Sequence, residues 1–240
     1  MHSFTHRHHK ESGEASPRST NGLILNGGWR YDLHGWLFDI CVFRGKGREL
    51  RQRTATLARL HPGDQVLDVG CGTGALAMEV QRRVGSAGRV VGIDPGQEQI
   101  ARARAKAARR HVPIAFQIGV IEQLAFPDQT FDVVLSTLMM HHLPASLKAQ
   151  GLAEIVRVLK PGGRVVIADF MRKQERTGLA ARFHAGGSGL QELAALVIDA
   201  GFAQVETEEL QPPRFSAFPG AGFVRAYKSA DAWAINESAG

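Results

Sequence analysis

Cysteine is almost missing from this chain of 240 residues, where only Cys41 and Cys71 occur. Two thiols cannot build a disulfide framework, so a reducing cytoplasm is the expected setting. No apolar run reaches the ~18 residues that span a bilayer, and no secretory signal is expected. Histidine, cysteine and carboxylate residues do not fall at metal-ligand spacings, so no metal is expected. The phosphate-binding pattern Gly-x-x-x-x-Gly-Lys-Ser/Thr is also missing, which argues against ATP or GTP hydrolysis.

What is present fits an ordinary globule. Hydrophobic content of 44% and charged content of 22% suit one domain with a sizeable core. The net charge of +6 would attract anionic partners, but the basic residues are scattered. Arg102, Arg104, Lys106, Arg109 and Arg110 share one expected helix, interleaved with alanines. That pattern reads as a solvated helix face, so nucleic acid is not an expected partner, and membrane contact is at most peripheral.

Residues 1–28 read as a disordered leader with four histidines before residue 10. Residues 29–240 read as one domain, with a helical cap over 29–60 and a core over 61–240. Helices are expected at 29–43 and 46–60. Strands follow at 65–70, 89–94, 114–120, 131–138, 163–170, 203–210 and 222–228. Helices at 74–84, 96–110, 146–159 and 189–200 lie between them. Such alternation predicts an α/β fold: a seven-stranded, mainly parallel sheet with helices on both faces. The irregular stretch 171–187, with Arg172, Lys173, Arg176, Arg182 and His184, follows the fifth strand and reads as a substrate-side loop.

The most informative stretch is Val66-Leu67-Asp68-Val69-Gly70-Cys71-Gly72-Thr73-Gly74. An apolar strand carries a carboxylate just before a glycine-rich turn, and a helix follows. Glycines let backbone turn tightly and approach a ligand, and the helix N-terminus offers free amides. The loop alone does not exclude a dinucleotide, because Ala75 stands at the sixth place of G-x-G-x-x-G/A. Asp68 argues against a pyrophosphate and for an ammonium. Asp94 ends the next strand, 20 residues after Gly74, where a carboxylate can accept both ribose hydroxyls. S-adenosyl-L-methionine, a nucleoside with an amine on its tail, fits both acids.

On these residues the chain resembles the class I S-adenosylmethionine-dependent methyltransferases, of the small-molecule type grouped with quinone and phospholipid methyltransferases. The likeness runs from about Tyr31 to Lys228 and rests on residues 66–74, 90–94, 119–134 and 158–169. It implies a Rossmann-like sheet with the last strand inserted antiparallel, and S-adenosyl-L-homocysteine as product. It places Cys71 and Thr73 with the three glycines around the methionine part, Pro95 against the adenine, and Tyr31 at the methionine carboxylate. The segment after strand three usually offers an Asp to the adenine amine; here Val120 stands there, leaving backbone groups and a wall of Val120 and Ile121, with Glu122 at a frequent acidic position. Ser136 and Thr137 would border the reactive methyl. His141 and His142 follow, and a neutral imidazole can take a proton from an acceptor; His142 is placed slightly ahead as the candidate base. The Asn/Asp-Pro-Pro-aromatic motif of nucleic-acid amine methyltransferases is missing. The expected activity is direct in-line methyl transfer to an O, N or C nucleophile of a small molecule. An NAD-dependent oxidoreductase and a non-catalytic cofactor-binding protein are the alternatives.

Overall fold

The computed structural model describes residues 46–171, 189–211 and 220–230. The leader, the helix expected at 29–43, Tyr31, His184 and the stretch 172–187 lie outside the described residues.

Helix α1 (Lys46–Leu57) precedes β1 (Gln65–Val69), α2 (Ala75–Val84), β2 (Arg89–Asp94), α3 (Gln97–Arg109), β3 (Ile114–Ile118) and β4 (Phe131–Thr137). A short 3-10 turn (Met140–His142), α4 (Ala145–Val158), β5 (Leu159–Phe170), α5 (Leu190–Asp199), β6 (Phe202–Leu210) and β7 (Ala221–Lys228) complete the order. The seven strands form one sheet in the order β3-β2-β1-β4-β5-β7-β6. Pairs among β1 to β5 are parallel. Strand β7 runs antiparallel between β5 and β6, as the resemblance implied.

Alternation along the strands sends successive side chains to opposite faces. Leu67, Val69, Val91, Ile93, Val134, Val165 and Ile167 pack under α4 and α5. Val66, Val90, Val133, Leu135 and Val166 pack under α1, α2 and α3. Helix α1, the described part of the expected cap, also sets Leu50 against Phe223 and Ala221 of β7.

Two boundaries differ from the sequence expectation by three residues or more. The helix expected to reach residue 60 ends at Leu57, where the chain turns through Arg59 at a left-handed φ of 45°. Strand β5 starts at Leu159 rather than residue 163, because Leu159 pairs with Phe131 before the Pro161-Gly162-Gly163 turn region. The proline and glycines masked that early pairing.

Candidate cofactor and acceptor site

The order reverses beside β1, where β2 and β4 flank it on either side. In open α/β sheets this switch point, at the C-terminal strand ends, is where ligands bind. Asp68, Asp94, Ser136, Thr137 and Asp169 all lie at that rim, on β1, β2, β4 and β5.

Asp68 is buried, with 1% of its surface exposed. It takes a hydrogen bond from the Ala77 amide in the first turn of α2, so it also caps that helix. Its Oδ2 has no partner, and neither do Ser136 Oγ and Thr137 Oγ1 on neighbouring β4. Burial pushes the Asp68 carboxyl up to about 7, and the Asp94 charge adds to the rise against the Ala77 amide. A buried oxygen that is left unpartnered beneath a bare-peptide loop fits an ammonium or a water carrying one.

The three loop glycines have different reasons. A Cβ at Gly70 would lie 2.5 Å from the Met139 side chain, and one at Gly74 would lie 2.5 Å from the Phe116 ring. A Cβ at Gly72 would meet nothing within 4 Å. Only Gly72 therefore faces open space as a bare peptide; its neighbours are glycines because other side chains press on them.

Asp94 Oδ2 accepts the Gly72 N–H at 2.9 Å and Oδ1 accepts the Gly96 N–H at 2.8 Å. Burial raises its carboxyl, against those two amides. Each carboxylate oxygen keeps a second lone pair for a ribose hydroxyl. Pro95 precedes Gly96, the N-cap of α3, so it lies before the cap rather than at the first helical position. Thr73 turns both its oxygens to Lys106 Nζ at 2.9 Å. That contact takes Lys106 off the solvated face expected of α3, while Arg104, Arg109 and Arg110 are exposed as expected, Arg104 with its Nε bonded to the Phe116 carbonyl at 2.9 Å. Cys71 is buried, and burial pushes its thiol well up, with Asp68 and Asp94 adding. It is packing, not a reactive nucleophile.

Beyond β3, Val120 bridges to Gln123 and is partly exposed. Ile121 turns its side chain into the core, where a Cβ on Gly151 would lie 2.6 Å from it. What Ile121 offers a ligand is backbone, not the apolar wall expected. Glu122 is half-buried nearby.

After β4, Leu138 takes a φ of 55° and leads into the 3-10 turn. Such a backbone angle is strained for a leucine and is held there by its neighbours. Asp169, 2% exposed at the end of β5, accepts the His141 backbone N–H at 2.8 Å and meets His141 Nδ1 at 2.6 Å. A carboxylate only accepts, so in the neutral ring the hydrogen lies on Nδ1 and Nε2 carries the lone pair that a base needs. His142 packs against His141, with ring centroids 3.8 Å apart and ring planes tilted by 45°. Burial holds the His142 imidazole below its ordinary value, with His141 adding and Asp169 opposing. The arrangement orients His141 where the sequence had favoured His142. Asp169 was missed; its signal was a third carboxylate at a strand end, after Asp68 and Asp94.

Among the described residues no group of three or more His, Cys, Asp or Glu side chains is placed to hold a metal. None of their helices is long and apolar enough to cross a membrane.

Residues 66–163 match the model of a methyltransferase domain. The chain is 30% identical over 198 residues to the 27-O-demethylrifamycin SV methyltransferase of Amycolatopsis mediterranei, covering 79% of this chain and 70% of that protein. It is 35% identical over 149 residues to the ubiquinone/menaquinone biosynthesis C-methyltransferase UbiE of Geobacter sulfurreducens, covering 61% and 56%. Against several such relatives the match spans about half their length. A SAM-dependent methyltransferase structure from Aquifex aeolicus superposes with a TM-score of 0.61 at 22% identity, over 74% of this chain and 89% of that one. That likeness shows the fold.

Proposed function

The chain belongs to the class I S-adenosylmethionine-dependent methyltransferase family, and on that premise we propose that it methylates a small-molecule acceptor. The observation that carries the reading is the unpartnered Asp68 Oδ2 beneath the open Gly72 peptide, with Asp94 one strand away. Asp68 would hold the methionine ammonium and Asp94 the ribose. The Gly72 peptide would lie along the methionine part. Ser136 and Thr137 would border the methyl end, and Val120 with the Ile121 and Glu122 backbone would line the adenine side.

Bound S-adenosylmethionine supplies an activated methyl on a sulfonium, ready for in-line displacement. The protein's task is then mostly alignment, which by itself can supply much of the rate. Where the acceptor must lose a proton, His141 Nε2 takes it. Asp169 holds the ring in the required tautomer and offsets the charge that forms. Relatives named for demethylmenaquinone, 27-O-demethylrifamycin SV and arsenite support a small-molecule acceptor. The buried Cys71 lends no thiol to arsenic chemistry here. The cytoplasm is the setting this reading assumes.

Calorimetry with S-adenosylhomocysteine and with NADH tests the cofactor. Binding of the former is expected; tight NADH binding alone would end the assignment. Mass spectrometry of a metabolite extract incubated with donor should show one compound gaining a methyl. Binding with no methylated product from any extract would favour a non-catalytic protein.

A further inference from the structure

Gly70, Gly72 and Gly74 all adopt positive φ, at 72°, 51° and 74°. Glycines lose more chain freedom on ordering than other residues, so this loop needs external support to keep one shape. Two charged side chains hold it from different elements. Asp94 of β2 takes the Gly72 N–H at 2.9 Å. Lys106 of α3 donates from Nζ to both the carbonyl and the hydroxyl of Thr73, each at 2.9 Å.

Packing sets that reach. A Cβ at Gly74 would lie 3.3 Å from the Ala103 Cβ, so α3 packs against Gly74 at Ala103. Lys106 stands three residues further on, on the same helix face. Helix α3 is already fastened to the sheet by Ile100, Ala103 and Ala107 in the core. The two Lys106 bonds to Thr73 therefore act on the loop rather than on the helix's own attachment.

We propose that Lys106 is a positioning residue for the cofactor: its ammonium fixes Thr73, and through it the open Gly72 peptide, in the shape that receives S-adenosylmethionine. The identity of the ligand rests on the methyl-transfer reading above; the anchoring of the loop does not. A loop ordered in advance spares the ligand the ordering cost, so the effect belongs in affinity and not in the chemical step.

The test compares Lys106→Met and Lys106→Arg with the wild type. S-adenosylhomocysteine affinity is measured by calorimetry, alongside thermal midpoint and amide hydrogen exchange of the loop peptide in the ligand-free protein. Lys106→Met should weaken affinity by about tenfold and speed exchange in residues 70–74 while the rest of the sheet exchanges as before. Turnover at saturating donor should stay within about twofold. Lys106→Arg, which can still donate to both oxygens, should recover most of the affinity. Unchanged affinity in Lys106→Met overturns the proposal, and so does weakened affinity accompanied by faster exchange throughout the sheet. A wild type that does not bind S-adenosylhomocysteine would sink the methyl-transfer reading instead. Loop exchange in Lys106→Met would then still decide the anchoring, faster exchange supporting it and unchanged exchange overturning it.

Discussion

The two rims of the sheet treat their charged groups differently. At the N-terminal rim Arg164, Lys160 and Arg157 all find partners within the protein, and the unpartnered buried oxygen there is the neutral amide oxygen of Gln81. Arg164 donates to the carbonyls of Ala58 and Arg59 and pairs with Asp64 at 2.8 Å. Lys160 pairs with Asp132, which also accepts the Gln65 amide. Arg157 joins Glu154, Asp128 and the carbonyls of Leu124 and Phe126. At the C-terminal rim Asp68 Oδ2, Ser136 Oγ and Thr137 Oγ1 are buried with no partner. An unmatched buried oxygen costs stability, so the first rim serves the fold and the second is where the proposed cofactor would supply the missing partners.

The largest expected effect breaks the second rim alone. His141→Ala should lower turnover at saturating donor by about a hundredfold or more for an acceptor that must lose a proton. Asp169→Asn should lower it too and alter the pH profile, since the ring loses its orienting acceptor. Full activity in His141→Ala would remove the imidazole from the mechanism. Next in size, Arg164→Met should cost about 3 kcal/mol in urea unfolding, because the Ala58 and Arg59 carbonyls lose their donor and the partly buried Asp64 keeps only the His61 amide. S-adenosylhomocysteine affinity of the folded variant should be unchanged; a large affinity loss would show that the rims are not separable. Asp94→Ala should weaken that affinity by more than about tenfold. The fold should survive, although the Gly72 and Gly96 amides lose their acceptor.

The smallest effect sharpens the comparison through pH. Asp68 has its folded carboxyl raised to about 7, above its unfolded value. Its protonated form therefore favours the folded state, and that contribution is lost as pH rises from the unfolded value through about 7. Ammonium binding has the opposite sign, because only the ionised carboxylate accepts it. Cofactor affinity should fall by about tenfold between pH 8 and pH 6 as Asp68 takes up its proton, while ligand-free stability should rise over the same interval. Parallel changes in both would contradict Asp68 as the ammonium partner. An Asp68→Asn variant should lose the pH dependence of affinity.

The halves of the site were unequally legible. The glycine loop, Asp68 and Asp94 could be read because their chemistry is local: glycine, carboxylate and strand end follow one another within a few residues. Strand limits at Arg89–Asp94 were legible for the same reason, an apolar run closed by an acid. The partner of His141 was not, because Asp169 lies 28 residues away and reaches it only through the pairing of β4 with β5. Ile121 was read as a ligand wall because nothing local shows that Gly151 opens a space for it in the core.

The order of apolar runs and glycine turns by itself determined the alternating α/β chain, the glycine loop and the two acids at the neighbouring strand ends, since secondary structure and turn chemistry depend on near neighbours. Only the tertiary structure decided which histidine is oriented, which loop glycine faces open space, and that Lys106 grips Thr73 instead of water. Those outcomes depend on distances between elements remote in sequence, which are set when the sheet and its two helical layers pack.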